Sequence, residues 1–448
     1  MSWKRPITRR NFLRIGSGGI AGATLMLSAD SLLKAAARPL AANDQVNVAV
    51  IGMGIRGYGL MQSVRTLQGV KVVAVADLYD GRLKRAREVN ADLSLATRDY
   101  KEVLAHKEVD AVIIATLDHR HKNIAIEAMS VNKDVYCEKP LTHAIEEGKL
   151  IIEAARKTGR IVQVGSQRKS SVLFAKAKEI YESGALGELL LVETSINRNT
   201  PMGAWQYPIP PDASEQTLDW KRFLGSAPSR PYDPNRFFRW RCWWDYSAGV
   251  AGDLFVHLLT GLHYITSSTG PKRVMSTGGI YRWKDGRDVP DLHVALYDYP
   301  QGFHLNIRVN LGSSGPEVTR FYGTEGTLDV WNDLRLTTQN LYEEPGGIVE
   351  SWAEEMQKAF MEKYRKEHPL PVPHSGEVKK VDERFVTPPH YDETREHLFN
   401  FVQAVRTRQP ANEDAEFGSN AATAAHLANL SYKNGRPVNW DPKNQVLS

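Results

Sequence analysis

The sequence predicts an α/β fold, with a doubly wound parallel sheet in its N-terminal part and an α+β domain with a large, mostly antiparallel open sheet after it. Two observations predict this division. Short runs rich in β-branched residues alternate with helical segments as far as residue 165, which is typical of a parallel sheet covered on both faces. Beyond that point, consecutive strand-like runs are joined by short turns, which favours antiparallel pairing. We therefore expect domains at residues 43–165 and 166–448, with an insertion at 340–390.

The expected elements can be given in chain order. In the first domain, strands are expected at residues 46–51, 70–76, 111–115, 134–137 and 161–165, and helices at 56–67, 81–91, 100–106, 123–131 and 145–158. In the second domain, helices are expected at residues 172–183, 249–267, 349–366, 392–407 and 417–434, and strands at 189–196, 274–283, 293–299, 303–311, 317–322 and 327–330. Residues 197–247, rich in Pro, Arg and Trp, are expected to be irregular.

A glycine-rich turn with G-x-G-x-x-G spacing follows the first expected strand. Gly52 permits a tight turn, Gly54 lets backbone N–H groups approach a pyrophosphate, and Gly57 lets the next helix pack closely on the sheet. Ile55 and Arg56 lie between these glycines, where the positive end of the helix dipole would face the phosphates. The pattern predicts a Rossmann domain that binds a dinucleotide.

An aspartate marks the end of the second expected strand. Asp77 lies twenty positions after Gly57, where an acidic side chain would accept hydrogen bonds from the adenosine ribose hydroxyls. It would also repel a 2′-phosphate, which favours NAD, although Arg82 is close enough in sequence to leave NADP open. The alternative is a tight strand–helix turn followed by an unrelated surface aspartate.

The first 42 residues resemble an export leader. Residues 8–14 read T-R-R-N-F-L-R and precede a glycine-rich apolar stretch at 15–29, as in the twin-arginine export signal. The resemblance implies that the twin-arginine machinery exports the folded protein to the periplasm, and an uncleaved leader would tether it to the membrane.

Charge and cysteine content narrow the possible partners. The formal charge of the whole chain is +5, but the leader holds seven basic residues and one acidic residue, so the remainder carries −1. Nothing in that balance favours nucleic acid or an anionic membrane as partner. Cys137 and Cys242 are too few for a disulfide scaffold or a zinc site, and we expect free thiols.

A Glu-Lys-Pro sequence follows the expected strand at residues 134–137. The carboxyl ends of such strands are where open α/β sheets bind ligands. Lys139, beside a nicotinamide, could hydrogen-bond with a substrate hydroxyl and remove its proton during oxidation. Glu138 would orient the lysine and contact the cofactor, and Pro140 would fix the turn, with a cis bond as one option. The alternative is a surface turn with an ion pair.

Asp253 and His257 are four residues apart on an expected helix, so their side chains share one face. Pairing with an aspartate would tune the basicity of the imidazole and fix its tautomer, as general-base chemistry requires. Two metal ligands or a buried structural hydrogen bond are the alternatives. No third set of ligands is apparent, so we expect no metal site.

These motifs occur in the order found in the glucose–fructose oxidoreductase / inositol dehydrogenase (Gfo/Idh/MocA) family, which the chain resembles over nearly its whole length after the leader. The sequences A-T-L-D-H-R-H at residues 115–121 and I-A-I-E-A-M at 124–129 add to the resemblance. The twin-arginine motif is similar to that of the secreted bacterial branch of the family.

The resemblance implies a Rossmann domain and a C-terminal α/β domain, with NAD or NADP as hydride acceptor. It implies that Lys139 is catalytic together with Asp253 and His257, and that Thr116 and His121 lie beside the nicotinamide. It also implies a homo-oligomer, a dimer or tetramer, associated through the sheet face of the second domain.

An aromatic- and arginine-rich stretch, residues 232–246, precedes the Asp253 helix. Sugars present C–H faces that stack on aromatic rings and hydroxyls that bind guanidinium groups, so this stretch predicts a carbohydrate-binding wall. Its candidate contacts are Arg239, Arg241 and Trp244, and Gln167 and Arg168 could border the same pocket. The alternative is a structural lid or a subunit contact.

Taken together, the sequence predicts an exported NAD(P)-dependent oxidoreductase that acts on a CH–OH group of a sugar, glycoside, polyol or inositol. Outside the cytoplasm there is no NAD pool to draw on, so we expect a tightly bound cofactor, with net oxidation and internal redox recycling both open. The main alternative is an NAD-dependent glycosidase that works by transient oxidation and elimination. Such relatives usually lack the lysine of Glu-Lys-Pro, which is present here. A third interpretation is a non-enzymatic sensor that binds a nucleotide.

Overall fold

The computed structural model describes residues 45–339, 345–369 and 383–448. The expected export leader and two parts of the expected insertion, residues 340–344 and 370–382, lie outside the described residues. Residues Val46–Ser448 form a single unit that is built on two sheets.

Six parallel strands form the N-terminal sheet. They are β1 (Val46–Ile51), β2 (Val70–Ala76), β3 (Leu95–Thr97), β4 (Ala111–Ile114), β5 (Asp134–Glu138) and β6 (Val162–Gly165), in the spatial order β3-β2-β1-β4-β5-β6. The central strands β1, β4 and β5 are almost entirely buried, as their near-continuous apolar runs predict. The doubly wound sheet is therefore confirmed. Strand β3 was not expected, because three residues are too few to show a periodic pattern.

Helices cover both faces of this sheet. They are α1 (Ile55–Val64), α2 (Asp80–Val89), α3 (Tyr100–Ala105), α4 (His121–Ser130) and α5 (Glu147–Thr158), with 3-10 turns at Asp118–Arg120 and Arg168–Ser170. Two separate apolar cores result, one on each face of the sheet. Each core buries one side of the same strands, since successive strand residues point to opposite faces.

Ten strands form the C-terminal sheet. They are β7 (Leu189–Asn197), β8 (Arg273–Gly279), β9 (Leu292–Asp298), β10 (His304–Asn310), β11 (Val318–Gly323), β12 (Gly326–Val330), β13 (Asp333–Thr338), β14 (Glu383–Val386), β15 (Val438–Asp441) and β16 (Val446–Leu447), in the order β14-β13-β12-β11-β7-β10-β9-β8-β15-β16. Strands β7 and β10 are parallel, and every other described pair is antiparallel. The expected mostly antiparallel sheet is confirmed.

Eight further helices follow within the described residues. They are α6 (Val172–Glu182), α7 (Trp220–Leu224), α8 (Pro234–Phe238), α9 (Val256–Thr266), α10 (Gly346–Val349), α11 (Glu354–Glu367), α12 (Glu393–Thr407) and α13 (Ala415–Asn434), with a 3-10 turn at Trp240–Cys242 and a π-helical turn at Ala251–Phe255. Of these, α6, α7, α8, α9 and α13 contribute buried residues to the core of the C-terminal sheet. Helices α7 and α8 fall in the stretch expected to be irregular. Within the described ranges, no helix has the length and apolarity needed to cross a membrane.

Helix α12 packs on the N-terminal sheet, although it lies within the expected second domain in sequence. Its residues Leu398, Phe401 and Val402 are buried in the same core as Val48 and Val50 of β1. The expected boundary at residue 165 therefore separates the two sheets but not this helix. The pattern of α12 predicts an amphipathic helix, but it carries no information about which sheet receives the apolar face.

A long connection, which we name the cover segment (residues 198–247), leaves β7 and reaches the edge of the N-terminal domain. The backbone N–H of Asp80 donates to the carbonyl of Thr217 at 3.0 Å, and the N–H of Asp219 donates to the carbonyl of Leu78 at 2.9 Å. These main-chain bonds join the cover segment to the turn after β2. Its position over the strand ends creates the enclosed space described next.

Candidate active site

A cavity of about 520 Å³ lies at the carboxyl ends of β1, β2, β4 and β5. Its volume is in the range of small-molecule sites, and open α/β sheets bind their ligands at this edge. The glycine-rich turn lies on one side and the cover segment on the other. The cover segment contributes mostly aromatic side chains, namely Trp205, Tyr207, Phe223, Phe237, Phe238 and Trp240.

The three glycines of the turn have different structural reasons to be glycine. Gly52 has a φ of +93°, and a Cβ there would lie 2.5 Å from the carbonyl oxygen of Ala115. A Cβ on Gly57 would lie 1.7 Å from the carbonyl oxygen of Gly52. At Gly54, by contrast, a Cβ would approach only the guanidinium of Arg82, at 3.8 Å. Gly54 therefore borders open space in the cavity, as the close approach of a pyrophosphate requires.

Asp77 lies at the end of β2, is buried, and lines the cavity. Its Oδ2 accepts from the N–H of Met53 at 2.7 Å, and its Oδ1 accepts from the N–H of Tyr79 at 2.9 Å. These bonds fix the carboxylate beside the glycine-rich turn. Arg82 lies 3.5 Å from both oxygens. The contact between Asp77 and a ribose remains a prediction.

Lys139, Asp253 and Arg241 form a charged network in the cavity. The ammonium of Lys139 donates to Oδ1 of Asp253 at 2.8 Å and to its carbonyl oxygen at 2.7 Å. The Nε of Arg241 donates to the same Oδ1 at 3.0 Å. Burial alone would raise the pKa of Asp253, but the two cations hold it well below its ordinary range. Asp253 is therefore a carboxylate that fixes the positions of both cations.

The expected pairing of Asp253 with His257 is not present. Residues Ala251–Phe255 form a π-helical turn. The Asp253 carboxylate binds two cations, which interact with it more strongly than a neutral imidazole would. His257 lines the cavity and makes no hydrogen bond with another described residue. Burial, and then the charges of Lys139 and Arg168, lower the pKa of His257 well below 6.5. The ring is therefore neutral and available as a base.

Glu138 does not orient Lys139, contrary to expectation. Its Oε1 accepts from the Nε of Arg56 at 2.7 Å, so the carboxylate pairs with a residue of the glycine-rich turn. Both Glu138 and Arg56 line the cavity. The turn after Lys139 is fixed by a cis peptide bond to Pro140, the option that the sequence left open.

Among the other predicted contacts, Ile55, Thr116 and Gln167 line the cavity. His121 does not line it. The Nδ1 of His121 lies 2.8 Å from the carbonyl oxygen of Pro140, and the ring is buried. His121 therefore contacts the turn after Lys139 and is not part of the cavity lining, and its place relative to the nicotinamide stays a prediction.

Arg168, predicted as a substrate contact, does not line the cavity. Its guanidinium binds Glu393 at 3.3 Å and lies over the ring of Phe174, with its Cζ 5.0 Å from the ring centroid. Arg239 is likewise outside the cavity, because its Nε donates to the carbonyl of Tyr207 at 2.9 Å. It fixes the backbone of a residue that does line the cavity.

Trp244 is also wrongly predicted. Its indole N–H donates to the carbonyl of Asp288 at 2.9 Å, and the ammonium of Lys433 lies 3.8 Å from its ring centroid. Both partners are distant in sequence, so the local aromatic pattern could not reveal that this ring serves packing. Of the three predicted contacts in residues 232–246, only Arg241 faces the cavity.

Sequence reasoning missed several lining residues. Asp118 follows β4, Arg198 follows β7, and Tyr207 and Trp240 belong to the cover segment. Asp118 stands within the A-T-L-D-H-R-H sequence, which was a usable signal. Trp240 lies in the aromatic- and arginine-rich stretch that predicted a binding wall. Arg198 and Tyr207 lie outside every motif and reach the cavity only through the path of the cover segment. In the part of the chain that the structure describes, no group of three His, Cys, Asp or Glu residues could hold a metal ion.

The fold and this cavity define a Rossmann-type oxidoreductase. A family model for oxidoreductases with an NAD-binding Rossmann fold matches residues 46–166, and the model for the C-terminal domain of the same family matches residues 222–329. Together they match about half of the chain. The chain belongs to the Gfo/Idh/MocA family of oxidoreductases, and its N-terminal domain is the NAD-binding domain of that family.

Known proteins resemble the chain as follows. Inositol 2-dehydrogenase of Salmonella paratyphi B is 34% identical over 149 residues, which are 33% of this chain and 44% of that protein. The scyllo-inositol 2-dehydrogenase (NAD+) of Bacillus subtilis is 37% identical over 146 residues, 32% of this chain and 42% of that protein. These alignments therefore span less than half the length of either relative. A solved structure of levoglucosan dehydrogenase with NADH and levoglucosan has a TM-score of 0.65 and 16% identity, covering 88% of this chain and 99% of that one.

Proposed function

We propose that the protein transfers hydride between a CH–OH carbon of a sugar or polyol and NAD. One observation carries this proposal. Lys139, held by two bonds to Asp253, shares a cavity with the neutral His257 and with the open space above Gly54. Proton handling and cofactor binding are therefore available in one enclosed site. The names of the two inositol dehydrogenases are consistent with a polyol or sugar as substrate.

The chain's own residues would handle the proton of the reacting hydroxyl. Lys139 uses two of its three donors on Asp253, so the third can donate to the substrate oxygen and stabilise the charge that develops there. His257, neutral and without a partner among the described residues, would accept the hydroxyl proton. Bound NAD+ supplies the hydride acceptor.

We further propose that the protein is exported through the twin-arginine pathway to the periplasm and keeps its cofactor bound. The support for export is the sequence T-R-R-N-F-L-R and the apolar stretch after it. The support for retention is the cover segment, whose aromatic side chains line the same cavity as Asp77. A fusion of residues 1–45 to a reporter that is active only when exported folded would test the first part, with Arg9→Lys/Arg10→Lys as control.

We also propose a homo-oligomer that associates through the outer face of the C-terminal sheet. Met275 and Leu296 are register partners on β8 and β9, and each is more than half exposed. Neighbouring apolar side chains on an uncovered sheet face are typical of an interface. Light scattering of the purified protein, compared with a Leu296→Asp variant, tests this: a monomeric native protein would contradict it.

Two assays test the enzymatic proposal. Mass spectrometry of the purified protein should find a bound dinucleotide, and a panel of sugars and inositols should produce NADH absorbance with at least one member. The glycosidase alternative makes a different prediction, namely release of the aglycone from a chromogenic glycoside without net NADH. Failure of the protein to contain or bind any dinucleotide would overturn both.

A further inference from the structure

The cavity lining contains more positive than negative charge. Lys139, Arg198 and Arg241 are among its cations, and Asp253 and Asp118 are among its carboxyl groups. Burial raises the pKa of Asp118, which favours its uncharged form. His257 is neutral. Arg56 of the glycine-rich turn does not contribute to this excess of positive charge, because Glu138 already balances its charge.

Arg198 is the cation of the cavity that most clearly lacks a partner of opposite charge in the described part of the chain. Its backbone N–H donates to the carbonyl of Asn310 at 2.8 Å, which fixes the main chain beside β10. Its side chain is half-buried and lines the cavity, but it has no hydrogen bond, ion pair or ring contact within the described residues. Removing a guanidinium partly from water without a partner is unfavourable, so such a group in a cavity is typical of a ligand site.

Arg241 is fixed in a different way. Its Nε is bound to Asp253 at 3.0 Å, and its Cζ lies 4.3 Å from the centroid of the Trp240 ring. These contacts hold the plane of the guanidinium and leave its two terminal nitrogens without a hydrogen-bond partner among the described residues. A planar fork of this kind matches the geometry of a carboxylate or a phosphate.

Tyr207 shows that these groups surround one part of the cavity. Burial raises the pKa of its phenol, the charges of Arg241 and Arg198 lower it in part, and Asp253 raises it. The two arginines and Asp253 therefore act on the same hydroxyl, and all four residues line the cavity. Arg239 holds the backbone of Tyr207 in place.

We propose that the substrate is an anionic sugar, whose carboxylate or phosphate ester binds between Arg198 and the terminal nitrogens of Arg241. This rests on the proposed dehydrogenase function and names its substrate class. The anionic group takes no part in the redox step: a CH–OH elsewhere on the sugar loses hydride to NAD+ and its hydroxyl proton to His257. Arg241 then links the anion to Asp253, and through it to Lys139.

Matched sugars separate this proposal from a neutral substrate. The purified protein with NAD+ would be given glucose, galactose and mannose, the corresponding uronates, and the corresponding 6-phosphates. We expect at least one anionic form to exceed its parent sugar in kcat/KM by about tenfold to a hundredfold, the range for a charged hydrogen bond. The uronate and phosphate arms distinguish the two anionic groups. Equal or better use of the neutral parents would overturn the proposal.

Variants of Arg198 test whether this residue causes the preference for the anionic sugar. Arg198→Gln should lower the ratio of kcat/KM for the anionic sugar to kcat/KM for its neutral parent by about tenfold or more, and Arg198→Lys should restore part of that ratio. Arg156→Gln, at an exposed position on α5, is the matched control and should change nothing. If Arg198→Gln instead weakens NAD+ binding, measured by fluorescence titration, Arg198 binds the cofactor and the proposal is wrong.

A binding measurement keeps the two proposals distinguishable. If none of the sugars produces NADH, the dehydrogenase proposal fails for this panel. Calorimetric titration of the NAD-loaded protein with the uronates and the 6-phosphates still tests the anion site. Binding that Arg198→Gln weakens about tenfold or more would support it. No binding, or binding that is unaffected by the variant, would overturn it.

Discussion

At the scale of single residues, the site depends on Asp253. Its Oδ1 lies 2.8 Å from Nζ of Lys139 and 3.0 Å from Nε of Arg241, so one carboxylate positions both cations. The sequence indicated Lys139, Asp253 and His257, each of which belongs to a short local motif, and all three line the cavity. Their catalytic role stays a prediction. The sequence wrongly paired Asp253 with His257, because helical spacing shows which residues share a face but not which partner binds more strongly.

Replacing Lys139 with Ala tests its role in proton handling. We expect kcat to fall by about a hundredfold to ten-thousandfold, the range for loss of a positioned acid–base group. Folding and NAD+ binding should be kept, because Arg241 still neutralises Asp253. Steady-state kinetics and fluorescence titration measure the two effects, and Lys149→Ala, on the exposed face of α5, is the control. Loss of NAD+ binding together with activity would contradict this role.

The pH dependence of kcat/KM tests His257. A base must be neutral to act, and the pKa of His257 is lowered, so the neutral form persists below pH 6.5. We therefore expect activity to stay level as pH falls to 6.5 and to decline only below it. His257→Gln should remove that acid limb along with most of the activity. An acid limb with its midpoint at or above 6.5 would show that the ring is not held neutral as described.

At the scale of elements, the β1–turn–α1 unit could be predicted and the cover segment could not. The unit is specified by adjacent residues, from the apolar strand through Gly52 to Gly57. The cover segment is positioned by contacts far apart in sequence, such as the bond between Asp80 and Thr217. This explains why Gly52, Gly54 and Asp77, which the local pattern indicated, lie together in the cavity lining. On the substrate side, Arg239 and Trp244 proved wrong and Arg198 was missed.

Two glycine variants separate folding from cofactor binding within that unit. A Cβ at position 57 would meet backbone at 1.7 Å, so Gly57→Ala should lower the free energy of unfolding by about 3 kcal/mol, measured with urea in the absence of NAD. Gly54→Ala meets only the flexible end of Arg82, so its stability should stay within about 1 kcal/mol of the native protein. Its NAD+ affinity should fall at least about tenfold. The reverse pattern would contradict the different roles given to these glycines.

At the scale of the whole molecule, helices late in the sequence pack on both sheets, and this packing buries several neutral histidines. Helix α12 packs on the N-terminal sheet, and α13 has buried residues in the cores of both sheets. Composition and periodicity predicted both sheets, but not that late helices would return to the first one, because an apolar face does not identify its partner. The packing leaves five imidazoles buried whose pKa is lowered to about 4, namely His119, His263, His293, His397 and His426.

The protein should therefore lose stability on acidification at pH values above those at which carboxylates titrate. Each of these histidines is neutral when folded and takes up a proton near pH 6.5 when unfolded, so its contribution is present above 6.5 and is lost as pH falls towards 4. Each shift is worth up to about 3 kcal/mol. Burial raises the pKa of Glu413 to about 8, which has the opposite effect between pH 4.5 and 8. Urea unfolding at several pH values should show stability falling between pH 6.5 and 4. Constant stability over that range would contradict the buried neutral rings.

Deuterium transfer tests the central claim most directly. The NAD-loaded protein would be incubated with sugars and inositols that carry deuterium on carbon. The bound dinucleotide would then be recovered and its mass measured by mass spectrometry. We predict that one deuterium appears on the reduced nicotinamide with the native protein and with Lys149→Ala, and is lost with Lys139→Ala although the dinucleotide remains bound. A native protein that binds NAD+ and the sugar but leaves the mass of the dinucleotide unchanged would contradict hydride transfer at this site.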